Sequence, residues 1–353
     1  MDYTQLLNEL CDLVARENAS DLHLGEGIVP TLRIAGYLNP LANKKPFTKQ
    51  DMDGILRVLL SEEDLAIYAK QKGVDFSFRS PNGSRFRGNA FVQLDQAGVA
   101  LRLIPQKAKT FAELMLPQEL EQFAHREQGF FLVVGPTGHG KSTTLTAIIE
   151  IINQTRLEHI ITIEDPIEFV YTPAKSIIDQ REVGRDTPSF YEGLRGTFRQ
   201  DVDVILVGEM REPETIGTAV TAAETGHMVF STLHTNTAAQ TIDRIIGSFE
   251  AREQNQVRQQ LAGSLVGIFS QRLIPRVSGG LVPAYELLVN TPAVANLIRE
   301  NRSHEINTMI ETGSTNGMID LNRTLAELAR QGEITIENAY RFSTNVKMLE
   351  RLV

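Results

Sequence analysis

Gly135-Pro136-Thr137-Gly138-His139-Gly140-Lys141-Ser142 satisfies the pattern G-x-x-x-x-G-K-[ST] at every fixed position. The apolar run Phe130 to Val134 precedes it, and Leu145 to Ile152 beyond it has the spacing of a helix that opens near Lys141. A buried strand that turns through glycines into a helix leaves few folds open. Such a turn converges backbone N–H groups on one point, and the helix adds the positive end of its dipole. The ligand this suits is a phosphate chain. Lys141 is expected to reach the β- and γ-phosphates and Ser142 to place its hydroxyl on Mg²⁺, with Gly135, Pro136, Thr137, Gly138, His139, Gly140 and Thr143 completing the nucleotide contacts. ATP and GTP satisfy this equally. No guanine-reading motif stands out, so ATP is the expected nucleotide and Mg²⁺ its cofactor.

Cleaving the anhydride also needs a carboxylate at the end of a neighbouring strand, to organise the metal and activate the attacking water. Val204-Ile205-Leu206-Val207-Gly208-Glu209 is an apolar run that ends in an acid, which makes Glu209 the leading general base. A plain Walker B pattern carries aspartate where Gly208 stands, so part of the metal role must come from elsewhere. Ile161-Thr162-Ile163-Glu164-Asp165-Pro166-Ile167-Glu168 releases three carboxylates within five residues. Glu164 or Asp165 could complete the metal's water shell; Glu168 stays open.

Around this centre the chain has the length for two or three folded units, at 353 residues. Residues 3 to 17 put Leu6, Leu7, Leu10, Leu13 and Val14 on one helical face. From Asp21 to Ile104 short alternations such as Leu22-His23-Leu24 and Phe76-Ser77-Phe78 predict a small α+β domain with an antiparallel sheet, residues 1–105. Pro105-Gln106-Lys107-Ala108-Lys109 has no periodicity, so a linker is expected at 106–112. Residues 113–290 alternate buried strand-like runs with helical segments, the signature of an α/β domain whose mainly parallel sheet carries helices on both faces. From Thr291 the pattern is helical, with Leu321, Leu325 and Leu328 on one face and Gly332 as a stop, giving a C-terminal helical subdomain at 291–353. The net charge of −9 gives no general case for a nucleic-acid partner. A single cysteine, Cys11, forms no internal disulfide, and no apolar run approaches the ~18 residues of a transmembrane segment. Its acidic N-terminus does not read as a secretory signal, so the expected location is cytoplasmic.

Taken together, the motifs resemble those of the secretion-type ATPases of type II secretion and type IV pili, whose signatures are a Walker A, an Asp box, a Walker B and a His box. The Asp box is similar to Thr162 through Phe169, the Walker B to the run ending Gly208-Glu209-Met210-Arg211, and the His box to Gly226-His227 through Ser231-Thr232-Leu233-His234-Thr235. The resemblance, from about Ser20 to Gln331, implies an α/β RecA-like P-loop ATPase core preceded by a PAS-like domain. It also implies that His227 and His234 are nucleotide-linked, and that Arg85, Arg87 and Arg102 aim at bound nucleotide as catalytic cations beside Lys141, Glu164 and Glu209. Ala293-Val294-Ala295-Asn296-Leu297-Ile298-Arg299-Glu300 is similar to a signature of the pilus retraction ATPases, AIRNLIRE, departing at two positions. A retraction motor is further expected to do without the extra N-terminal domain of the assembly ATPases, and a single cysteine cannot build their tetracysteine zinc site. His139 departs from the small residue of the family's loop. The implied protein is a homohexameric motor that hydrolyses ATP on the cytoplasmic face of the inner membrane, acting on a pilus platform protein, alone or with a second pilus ATPase. A related secretion or pilus assembly motor, an accessory retraction subunit, a nucleotide-gated binding protein with little turnover, and a DNA motor are the rival readings.

Overall fold

The computed structural model describes residues 2–34, 36–105 and 107–353. By its contacts the chain divides into two units, Met1–Gln106 and Lys107–Val353. Gln106, which the sequence reading assigns to the linker, lies outside the described residues, as does Met1 of the expected first domain.

In the first unit, α1 (Tyr3–Arg16) starts where the Asp2 carboxylate accepts the Gln5 N–H, and its stripe Leu6, Leu7, Leu10, Cys11, Val14 is buried. β1 (Asp21–Gly25), β2 (Thr31–Ile34) and β3 (Tyr37–Pro40) follow. α2 (Lys49–Leu59) and α3 (Glu62–Gln71) each open on a capping box, Thr48 with Asp51 and Ser61 with Asp64. β4 (Gly73–Arg79), β5 (Arg85–Gln93) and β6 (Gln96–Ile104) complete the unit. Among the described residues the strands form an antiparallel sheet in the order β3-β2-β1-β6-β5-β4. Alternation sends Leu22, Leu24, Phe86 and Leu101 into the core shared with α1 and α2. It sets Asp21, Arg102 and Arg87 side by side on the other face, as directly opposed partners across β1, β6 and β5.

The second unit begins with the short α4 (Glu121–Ala124) and then alternates: β7 (Gly129–Val134), α5 (Lys141–Thr155), β8 (His159–Glu164), β9 (Ile177–Glu182), α6 (Phe190–Thr197), β10 (Val204–Val207), α7 (Pro213–Glu224), β11 (Met228–Leu233), α8 (Ala238–Gly247), α9 (Gln254–Ser264), β12 (Leu265–Pro275) and β13 (Leu281–Val289). The sheet order among the described residues is β13-β12-β7-β11-β10-β8-β9, parallel except for the β12–β13 pair. β7, β10 and β11 are buried at every position, as strands covered on both faces must be. Phe131 and Val133 face Ile148 and Ile152 of α5 on one side, while Phe130, Leu132 and Val134 face Ala219 of α7 and Ile242 of α8 on the other. The last helices, α10 (Pro292–Arg299), α11 (Ile306–Thr312), α12 (Leu321–Arg330), α13 (Ile336–Phe342) and α14 (Val346–Leu352), pack in two groups. Val294, Ile298, Ile306 and Ile310 of α10 and α11 join the core under α7 and α8; Leu321, Leu325 and Leu328 of α12 close on Ile274, Val282 and Ala284 at the far end of β12 and β13. No helix among the described residues is long and apolar enough to cross a membrane.

Candidate active site

The glycine loop leaves β7 at Val134 and enters α5 at Lys141. Gly135 has φ +146°, and a β-carbon on it would lie 2.3 Å from the Gln271 carbonyl oxygen, so the position admits no side chain. Gly140, at φ +81°, precedes the first turn of α5 without any side-chain cap, so phosphate oxygens are the natural partners of that turn's N–H groups. Beside the loop opens a cavity of about 680 Å³. Thr137, Gly138, Gly140, Lys141, Ser142 and Thr143 line one wall; Glu164, Asp165, Glu168, Glu209, Arg211 and His234 line the other.

The parallel register explains how the acids arrive. Val207 is opposite Ile163, and the Gly208 N–H donates to the Ile163 carbonyl at 2.8 Å, so β8 and β10 deliver Glu164 and Glu209 from the same edge of the sheet. The Glu209 carboxylate is 2.9 Å from Arg211 Nη2 and 3.4 Å from His234 Nε2. His234 Nδ1 faces two donors, the Thr137 hydroxyl at 3.3 Å and the Lys141 ammonium at 3.4 Å. Nδ1 therefore accepts, and the ring proton sits on Nε2 and points at Glu209. Lys141 Nζ also donates to the carbonyls of Gly135 and Pro136, both at 3.0 Å, folding it back over the loop. Burial lowers the proton affinity of Lys141, while the charges of Glu209 and Glu168 pull it back up. At Glu164 burial raises the carboxyl, opposed by the Thr162 hydroxyl at 2.6 Å and the Gln180 amide at 3.3 Å.

These groups suit Mg²⁺ held largely through phosphate. Ser142 is exposed at the cavity with Glu164 and Asp165 opposite, and no cluster of three or more His, Cys, Asp or Glu among the described residues forms an all-protein cage.

Some expected residues lie elsewhere. Gly135 and Pro136 do not line the cavity; their carbonyls serve Lys141. The His139 ring turns away towards β12, where its Nδ1 accepts the Leu273 N–H at 2.9 Å, so in the cradle the residue has only its backbone to offer. His227 does not line the cavity either. It precedes the first residue of β11 whereas His234 follows the last, so the strand separates them by roughly 20 Å. Its Nδ1 is bonded to the Ala222 carbonyl at 3.0 Å and its ring meets Phe198 edge-on. Arg85, Arg87 and Arg102 belong to the first unit, where Arg102 pairs with Asp21 at 2.8 Å and Arg85 Nη2 donates to the Ser77 hydroxyl at 3.3 Å.

Sequence reasoning missed β12 as a support of the site. Gln271 is buried, its Oε1 accepting the Thr144 hydroxyl at 2.6 Å and its Nε2 donating to the His139 carbonyl at 2.9 Å. Next to it, Ser270 donates to the Asn236 carbonyl at 2.7 Å in the loop that carries His234. The polar triplet Ser270-Gln271-Arg272 inside an otherwise apolar run was the available signal.

Residues 3–280 match the family described as "Type II/IV secretion system protein". The "Type IV pilus retractation ATPase PilT" of Pseudomonas aeruginosa is 44% identical over 339 residues, 96% of this chain and 97% of that protein. The "Twitching motility protein" of Neisseria gonorrhoeae is 45% identical over 317 residues, covering 90% and 84%. A crystal structure of "the Pilus Retraction Motor PilT and Bound ADP" shares 46% identity at a TM-score of 0.90, covering 98% of both chains. On the strength of that match over most of its length, the chain belongs to the type II/IV secretion system protein family.

Proposed function

We propose that this protein is an ATP-hydrolysing motor for type IV pilus retraction, working as a homohexamer. The observation that carries the reading is the meeting of Lys141, Glu209 and His234 in one cavity of about 680 Å³ beside the glycine loop, in a chain 44–46% identical to relatives named for pilus retraction. The phosphates of ATP lie along the backbone N–H groups from Gly138 to Thr143, and the Lys141 ammonium exchanges the loop carbonyls for the β- and γ-oxygens. Glu209 accepts a proton from the water that attacks the γ-phosphorus; as the new P–O bond forms, the bond to the bridging oxygen breaks, and ADP and inorganic phosphate result. His234, donating from Nε2, holds Glu209 in place and reports the departure of phosphate. Ser142, with Glu164 or Asp165 through water, would hold Mg²⁺, which supplies charge neutralisation between the phosphates. Arg85, Arg87 and Arg102 add positive charge at the γ-phosphoryl group.

Movement of the two units on hydrolysis would then alter the ring and drive a platform protein at the cytoplasmic face of the inner membrane, alone or with a second pilus ATPase. Glu209→Gln, which keeps shape and removes the base, should lower steady-state phosphate release by about 10²- to 10⁴-fold while leaving nucleotide binding in place. Turnover at the parental rate would remove Glu209 from the mechanism.

A further inference from the structure

β12 outruns its neighbour. Its pairing with β7 ends at Ser270 opposite Val134, where β7 departs into the glycine loop, yet β12 continues to Pro275. Past that point, among the described residues, no strand pairs with the edge of β12 that faced β7, and the loop takes the strand's place. The His139 imidazole accepts the Leu273 N–H at 2.9 Å, as a carbonyl of a continuing strand would, and the His139 carbonyl accepts Gln271 Nε2 at 2.9 Å. His139 sits between Gly138 at φ +78° and Gly140 at φ +81°, two glycines with no side chain of their own to fix the loop's tip.

We propose that His139 is a positioning residue, a pin whose neutral imidazole fastens the tip of the glycine loop to β12 and so preorganises the loop's N–H groups for phosphate. The inference rests on reading the cavity as a nucleotide site. The ring lies outside that cavity, so it acts through the loop and not on the ligand. Its acceptor role requires Nδ1 to be bare. Burial holds its proton affinity below the ordinary value, and the charged groups facing it, Lys141 from α5 and Arg272 from β12, are both cations that lower it further. Once protonated, the ring would present a donor to the Leu273 N–H and the pin would open.

The test is titration of wild type, His139→Ala and His139→Asn with ADP and Mg²⁺ between pH 5 and 8.5, with thermal unfolding run on each. At pH 8 the alanine variant should bind ADP roughly two- to tenfold more weakly, the loss of one hydrogen bond's worth of preorganisation. Asparagine, whose Oδ1 restores an acceptor, should recover most of that loss. Below about pH 6.5 the terminal phosphate of ADP itself protonates and weakens binding by every variant; beyond that shared loss, wild-type affinity should fall towards the alanine level, whereas the ratio of asparagine to alanine affinity should stay constant. Equal binding by wild type and His139→Ala overturns the inference, as does an asparagine variant that is folded but follows the wild-type pH profile. If the alanine variant does not fold, the comparison of asparagine with wild type across pH still decides. Absence of ADP binding by the wild type overturns the nucleotide reading of the cavity, and the pin with it; the variants alone bear on the pin.

Discussion

Glu286 on β13 is a buried acid, 5% exposed, and its charge should weaken the fold at neutral pH and above. Its Oε1 accepts the Ala238 N–H at 2.9 Å, anchoring the start of α8 and the end of the loop that carries His234. Burial pushes the carboxyl from 4.5 up to about 7; the Ala238 N–H opposes this, Asp320 adds to it and Arg272 opposes it. Between those two pH values the folded protein keeps a proton that the unfolded chain has lost, so stability declines as pH rises from 4.5 to about 7 and levels off beyond. A difference of 2.5 units at 1.36 kcal/mol each sets the loss at about 3 kcal/mol. Glu286→Gln keeps an acceptor for Ala238 and carries no charge. The variant should match wild type near pH 4.5 and exceed it at pH 8.5. With about 2–4 °C per kcal/mol for a unit of this size, the gap in thermal midpoint should reach roughly 6–12 °C. The assay is thermal unfolding of both proteins followed by circular dichroism at half-unit pH steps. Parallel midpoints across the whole range would refute the argument, because a solvated or fully compensated carboxylate is the only group that could produce them.

Gly135→Ala should lower the thermal midpoint and abolish measurable ADP binding, since the new methyl would lie 2.3 Å from the Gln271 carbonyl oxygen at a φ that costs on the order of 1–3 kcal/mol; wild-type binding by this variant would contradict the loop geometry. Arg87→Ala removes an exposed side chain, so stability should move by no more than about 0.5 kcal/mol, while ATP turnover should fall about 10³-fold or more if the residue meets the γ-phosphoryl group. Unchanged phosphate release would confine Arg87 to the surface.

How legible each part was depended on how local its cause is. The helix of residues 3 to 17 declared itself through Leu6, Leu7, Leu10 and Val14, and α1 runs from Tyr3 to Arg16 with those residues buried. The runs at 130–134, 160–163, 204–207 and 228–233 read as strands because each is short and apolar but for Thr162, Ser231 and Thr232, and every position in them is buried, as in a sheet covered on both faces. β9, β12 and β13 escaped notice. β9 and β12 interrupt their apolar runs with Asp179, Gln180 and Arg181 or with Ser270, Gln271 and Arg272, side chains that bond to the start of β8 and to neighbouring loops and helices; β13 buries Glu286 for a like reason. The two histidines of the His box looked alike in sequence. Nothing local distinguishes His227 from His234, because their difference is the length of one strand and the direction in which it runs.

From the sequence alone came the glycine loop, the strand and helix on either side of it, the acids that end two apolar runs, and the resemblance that joins them. These are properties of short segments, written in backbone freedom and periodicity. Only the tertiary structure decided which groups meet: that His234 lies between Lys141 and Glu209, that Glu209 pairs with Arg211, that His139 faces β12 and that Glu286 holds the start of α8. Parallel strand order sets those distances, and strand order arises from burying all the apolar runs at once, which no segment of the chain encodes by itself.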